Sequence, residues 1–357
     1  MKIAIIDADF IGRKNHRFPN LCCMKISGWH KRQGDSVILK TDYDGLESFD
    51  RVYVAKIFTD TPIPSDSLFG NPLDAPNIIK GGTGFFFDNA QPLPVEIEHS
   101  MPDYHLYDGV TDFKFYTDYS IGYLTRGCFR HCPFCINRRS SKVIAHSPLE
   151  EFFDASRKKI CLLDDNFFGY DGWEDLLLQL RATGKPFVFK QGLDVRLLDH
   201  DKAKLLFTSK YDGDFIFAFD NADDAPLIEE KIQLISRYIN LKKNRVKFYV
   251  LCGFDRAGRY DADFWLRDIQ SVFNRADLLK RYDCLPYLMR HKNYLSVPHD
   301  VKKQYITLAR WCNQPHLFLK MSFKQFLDYQ EIYNARKPTY PLNPPSQFLT
   351  QPLHAGG

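Results

Sequence analysis

Short apolar runs alternate with polar or helix-patterned stretches through the first hundred residues, the rhythm of a parallel sheet with its crossovers. Residues 3–6, 37–39, 52–55 and 77–79 are the predicted strands. Between the first two, residues 20–33 carry Leu21, Met24 and Trp29 on one helical face and stop at Gly34, a natural C-cap. This pattern predicts an N-terminal, Rossmann-like open parallel sheet. From Tyr119 a second rhythm begins, with strand-like runs centred near Gly122, Cys161, Phe189, Phe217, Phe248 and Leu285, spaced by 39, 28, 28, 31 and 37 residues. Helices are predicted over 149–158, 173–183, 199–209, 226–240 and 261–274. Six such strand–helix units predict a parallel (β/α)6 barrel, complete or partial, with functional residues just beyond the carboxyl ends of its strands. The overall class is α/β. Helices are expected beyond Val297, and the prolines from Pro338 onward predict an extended tail. The expected organisation is a sheet domain over 1–112, a barrel over 113–296, a helical segment over 297–337 and a tail over 338–357.

Composition adds boundaries to this picture. A chain of 357 residues, 44% hydrophobic and 26% charged, is long enough for two or three domains with sizeable cores. No apolar run approaches the roughly 18 to 20 residues of a spanning helix, and the opening MKIAIIDADF places two Asp where a secretion signal keeps its apolar region, so a cytoplasmic protein with no membrane partner is expected. Net charge is +4, too small to imply nucleic acid by itself. Residues 301–337 hold seven Lys and Arg against two acids and so carry +5, which leaves −1 on the remainder.

Nine cysteines in such a chain do not form an obvious disulfide framework. Three of them, Cys128, Cys132 and Cys135, fall within eight residues at C-x3-C-x2-C spacing in GYLTRGCFRHCPFCINRR, directly after the first predicted barrel strand. Thiolates this close can converge on one inorganic centre. Three ligands leave one metal position open, which separates a reactive centre from a closed structural one. The competing reading is a zinc knuckle completed by His131 or His146, although no second C-x2-C follows.

The three-Cys motif, with Phe134 immediately before its last Cys, resembles the radical S-adenosylmethionine (SAM) superfamily, and the strand spacing extends the resemblance over about 170 residues, from Tyr119 to Met289. The resemblance implies that Cys128, Cys132 and Cys135 hold a four-iron, four-sulfur cluster and that SAM chelates the open iron. One electron then cleaves the sulfonium to methionine and a 5'-deoxyadenosyl radical, which abstracts hydrogen from substrate. It also implies a one-electron reductant protein of flavodoxin or ferredoxin type as partner, and Phe134 beside the adenine. The segment LLDDNFFG offers Asp164, Asp165 and Asn166 where the family presents polar groups to the SAM ammonium, in place of the commoner Gly-Gly-Glu; an acidic cap for the next helix is the alternative. Arg196 is a candidate for the SAM carboxylate through its planar fork, with an ion pair as its plainer role. Gly253 would let backbone approach the adenine, or would simply make a turn.

An open sheet followed by such a barrel also resembles the cobalamin-binding members of the superfamily. Gly81 and Gly82 form a Gly-rich turn after the fourth strand, where backbone could approach a nucleotide tail. In the loop Asp7 to Gly12, Asp9 stands where cobalamin-dependent mutases place a cobalt-ligating His, so a bound cobalamin would lack imidazole from this loop. RNA is a candidate partner because the basic C-terminal segment interleaves Tyr305, Trp311, Phe318, Phe323, Phe326, Tyr329 and Tyr333. Phe323, Phe326, Leu327 and Tyr333 fall at helical spacing behind Ser322, a natural N-cap, which offers the alternative that they pack inward while the Lys residues face water. The substrate, and the choice among hydrogen abstraction, methyl transfer and sulfur insertion, are not written in the sequence.

Overall fold

The computed structural model describes residues 1–64, 72–243 and 245–334, so the proline-rich tail expected over 338–357 lies outside the described residues. The chain forms a mixed α/β fold with several parallel sheets, divided into two compact units. The first comprises Met1–Gln191 and Ser209–Asp212, and the second comprises Gly192–Thr208 and Gly213–Gly357. Among the described residues no helix is long and apolar enough to cross a membrane.

The first unit begins with the predicted open sheet. Strands β1 (Lys2–Asp7), β2 (Ser36–Lys40), β3 (Arg51–Ala55) and β4 (Ile78–Gly81) pair in the order β2-β1-β3-β4, all parallel. Alternation along β1 sends Ile3 and Ile5 into one core with Met24, Ile26 and Tyr53, and Ala4 and Ile6 into another with Val52 and Val54. The predicted helix spans Leu21–Arg32, capped by the Asn20 side chain, which accepts from the amides of Cys22 and Cys23.

Strand β5 (Tyr119–Gly122) opens the second series. A two-stranded hairpin, β6 (Thr125–Arg126) with β7 (Ile144–Ala145), closes the loop that carries the three cysteines. Strands β8 (Lys159–Leu162) and β9 (Phe187–Phe189) complete a parallel sheet in the order β5-β8-β9. Its core of Ile121, Cys161, Leu163 and Val188 also takes Leu21 from the start of the helix Leu21–Arg32, which ties this sheet to the N-terminal segment.

The helix predicted over 149–158 is not formed; only a single 3-10 turn, Leu149–Glu151, is present. Two contacts replace it. The Phe152 ring packs flat against Gly122, where any Cβ would collide with it, and the Asp154 carboxylate takes the amide and hydroxyl of Ser156, a local turn that competes with helix.

In the second unit, β10 (Phe215–Ala218), β11 (Val246–Cys252) and β12 (Leu285–Arg290) form another parallel sheet. All six strands of the second rhythm are therefore present, as two three-stranded sheets rather than as one six-stranded sheet. The helix predicted over 261–274 runs on to Arg281, and three further helices, His299–Cys312, Pro315–Lys320 and Phe323–Asn334, follow the last strand. Tyr305, Trp311, Phe318 and Phe326 are buried, which makes them core residues and removes them from any stacking surface for RNA; Tyr329 remains exposed. The side chain of Tyr333 lies outside the described residues.

Candidate functional site

The cysteine loop leaves the end of β5 and returns through β7. Within it Cys128, Cys132 and Cys135 are each half-buried, in contrast to the fully buried Cys23, Cys161, Cys252, Cys284 and Cys312. Burial pushes the thiols of Cys161, Cys284 and Cys312 up to about 12, as expected of cysteines that serve as small apolar residues. The loop turns sharply at His131, whose φ of 49° is uncommon for a residue with a Cβ, and again where the Cys135 amide donates to the Cys132 carbonyl at 2.9 Å. Gly127 has φ 96°, and a Cβ there would collide with the Lys142 carbonyl. Phe134 sits half-buried inside this second turn.

Three consecutive residues beyond β8 hold this loop at successive points. Asp164, 2% exposed, accepts from the amides of Leu124 (3.3 Å) and Thr125 (2.6 Å) and from the Thr125 hydroxyl (2.7 Å). Asp165 bridges the two ends of the loop: one oxygen takes the Gly127 amide at 2.9 Å and faces the Arg126 guanidinium at 3.6 Å, and the other takes the Asn137 side-chain amide at 2.6 Å. The Asn166 amide nitrogen lies 3.4 Å from the Cys128 sulfur. Both carboxylates expected at the SAM ammonium are thus committed to the loop, and Asn166 is the one of the three whose buried side-chain acceptor, Oδ1, has no partner among the described residues. Burial raises Asp164 to about 7 despite its three donors.

Sequence reasoning missed several residues that shape the loop. Ser140 accepts from the Cys128 amide at 3.2 Å, His131 Nδ1 lies 2.8 Å from the Arg138 carbonyl, and the Asn137 amide donates to the Cys135 sulfur at 3.4 Å. Asp88, just beyond the Gly-rich turn, pairs with Arg138 at 2.7 Å and with Arg139 at 3.4 Å. The one signal in the sequence was charge: residues 126–142 contain five Arg and Lys and no acid, so their carboxylate partners had to come from elsewhere.

Among the described residues no three His, Cys, Asp or Glu side chains are grouped as ligands of one metal ion. A cubane places each thiolate on a different iron, so its ligands need not meet at a point. Of the two histidines offered as a fourth zinc ligand, His131 turns its Nδ1 to the Arg138 carbonyl at 2.8 Å, and His146 stacks on His99 with ring centroids 5.2 Å apart and lies 3.5 Å from Glu98. Burial lowers His146 to about 4.

The remaining predicted residues have other employment. In the second unit the Arg196 guanidinium closes on Asp194 through two contacts of 2.7 and 3.1 Å, so the fork expected to meet the SAM carboxylate is already filled by a carboxylate two residues away. Gly253 has φ 74° and donates its amide to Asp268 at 2.7 Å; a Cβ there would press on Tyr294 at 3.3 Å, which makes it a turn glycine.

The residues of the N-terminal sheet do not fit cobalamin. With strand order β2-β1-β3-β4, the crevice where open sheets take ligands lies between the carboxyl ends of β1 and β3. Asp9 plugs it. Its carboxylate, wholly buried, accepts from the amides of Ile57 (2.5 Å) and Phe58 (3.3 Å) and from the Thr61 hydroxyl. Gly82 is required for a different approach: at φ 97° a Cβ would collide with the Lys56 carbonyl, so the Gly81-Gly82 turn packs on the chain after β3 and not on a cofactor. Asp7, at the end of β1, is likewise taken by the Tyr107 hydroxyl at 2.6 Å.

In comparison with known proteins, no family model, curated protein or solved structure matches this chain.

Proposed function

We propose that the chain is a radical SAM enzyme, and the observation that carries this reading is the cysteine loop itself. Cys128, Cys132 and Cys135 occupy one half-buried loop after a parallel strand, and the three residues ending the next strand hold that loop at successive points. The three thiols would be the ligands of a four-iron, four-sulfur cluster. With SAM on its open iron, such a cluster supplies a one-electron cleavage of the sulfonium to methionine and a 5'-deoxyadenosyl radical.

The chain's own residues prepare this chemistry in three ways. Asp165 joins both ends of the loop, so the ligands keep their spacing before any iron arrives, which is the preorganisation a metal site needs. The five Arg and Lys over residues 126–142, with no acid among them, give the loop that carries the thiols a positive charge balance that suits an anionic centre. The unpartnered Oδ1 of Asn166 offers an acceptor to the ammonium of SAM. A flavodoxin- or ferredoxin-type protein would supply the electron, and reduced thiols agree with a cytoplasmic setting.

Anaerobic reconstitution tests the reading. The wild-type protein is expected to bind four irons with sulfide, show a charge-transfer absorbance, and release 5'-deoxyadenosine when reduced with SAM. Replacement of all three cysteines by Ala should remove most of the iron and all of the cleavage. A colourless protein with one zinc, or an iron content unchanged in the triple variant, overturns it.

A further inference from the structure

Asn166 is placed in a way that folding alone does not explain. It is 2% exposed. Its backbone carbonyl accepts from the Gly169 amide at 2.9 Å and starts the 3-10 turn Phe167–Gly169. The side chain adds little to that turn: among the described residues Nδ2 meets the Cys128 sulfur at 3.4 Å, and the buried Oδ1 has no partner. A buried acceptor left unsatisfied is unfavourable, and an apolar side chain of the same size would avoid it. The neighbouring Asp164 and Asp165, by contrast, have every donor they need from the loop. Of the three residues beyond this strand, Asn166 is the one whose side chain is seen to meet a motif sulfur, that of Cys128.

The direction of the amide is informative. A thiol can donate to an amide oxygen, but a metal-bound thiolate has no proton and can only accept. The amide presents its nitrogen to the sulfur, the orientation that a bound thiolate requires. An N–H donor to a ligating thiolate draws charge from it and favours the reduced state of an iron–sulfur centre.

We propose that Asn166 is a positioning residue that sets the reduction potential of the cluster through its N–H···S contact with Cys128. The inference rests on the radical SAM reading and adds to it a role for one side chain that does not ligate iron. In Asn166→Leu the donor is lost with the same number of side-chain heavy atoms and the same branching, though in a larger side chain; in Asn166→Asp the shape is kept but the donor is replaced by an acceptor with negative charge.

Both variants and the wild type, as full-length protein, would be reconstituted anaerobically without SAM. Iron and sulfide content would be measured, and the midpoint potential read by a redox titration followed by electron paramagnetic resonance. The expected result is wild-type iron content with a midpoint shifted to more negative values in Asn166→Leu, and shifted further in Asn166→Asp. A full cluster in Asn166→Leu with the wild-type midpoint overturns the inference. Should that variant lose its cluster, the wild type labelled with 15N-asparagine decides: a nitrogen coupling to the reduced cluster that disappears in Asn166→Asp supports the contact, and an identical spectrum in the two overturns it. A wild-type protein that assembles no cluster overturns the radical SAM reading together with this inference.

Discussion

Asp164 illustrates how a single buried carboxyl can organise a loop and yet work against stability. Its three donors come from the first residues of the cysteine loop, but complete burial outweighs them and raises it to about 7. Between about pH 4, where the unfolded side chain titrates, and about pH 7, the folded chain therefore binds the extra proton. Stability contributed at this position is present below that window and falls as pH rises through it. Asp164→Asn keeps an oxygen for Thr125 and removes the titration. The melting temperature of the wild type minus that of Asp164→Asn is thus expected to decrease from pH 4 to pH 7 and to level off above. A difference that instead rises over this range would mean that the folded carboxylate is stabilised in its charged form, and the burial argument would fail.

At the scale of elements, the sheet ends are closed by side chains where a cofactor domain would be open. Removing the plug tests this: in Asp9→Ala the amides of Ile57 and Phe58 and the Thr61 hydroxyl lose their acceptor, with an expected cost of about 1–3 kcal/mol read by denaturant unfolding. The wild type should show no uptake of hydroxocobalamin at high micromolar concentration under reducing conditions; saturable binding would reinstate the cofactor. Similarly, Gly122→Ala should cost about 1–3 kcal/mol, because the new methyl group overlaps the Phe152 ring. A loss below a few tenths would show that Phe152 has room to move. These elements also show what the sequence could and could not reveal. The ten strands of the two parallel series were legible because each is a short apolar run with its own boundary signals, and the cysteine loop was legible from spacing alone. The turn that replaces the helix at 149–158 was not, because Phe152 answers to Gly122, thirty residues earlier. The clamps on the loop were equally hidden: Asp164 and Asp165 meet partners 28 to 40 residues away, a pairing that no local pattern encodes. Asp194 and Arg196, only two residues apart, could have been paired from the sequence.

Across the whole molecule the nine cysteines fall into two populations, and this turns the functional reading into a counting experiment. Five are buried, while Cys22 is exposed and Cys128, Cys132 and Cys135 are half-buried. A thiol reagent reaches exposed and half-buried sulfurs directly but meets the others only when the fold opens, so reaction rates should separate into four faster thiols, Cys22 the slowest of them because burial and nearby Glu98 push its thiol up, and five slow ones in the metal-free, reduced protein. Denaturant should merge the two classes. Loading iron and sulfide should then withdraw the three loop thiols and leave one fast thiol, Cys22, whose position on the helix Leu21–Arg32 keeps it apart from the motif in the chain. Mass spectrometry of the labelled peptides identifies which sulfurs changed. A fall from four fast thiols to one, confined to the peptide holding Cys128, Cys132 and Cys135, is the outcome that three-cysteine ligation requires. If Cys22 were protected as well, a fourth protein ligand would close the open position, and the centre could not chelate SAM. If all four stayed reactive after iron loading, the loop would not be the ligand set, and the charge and clamps around it would need another purpose.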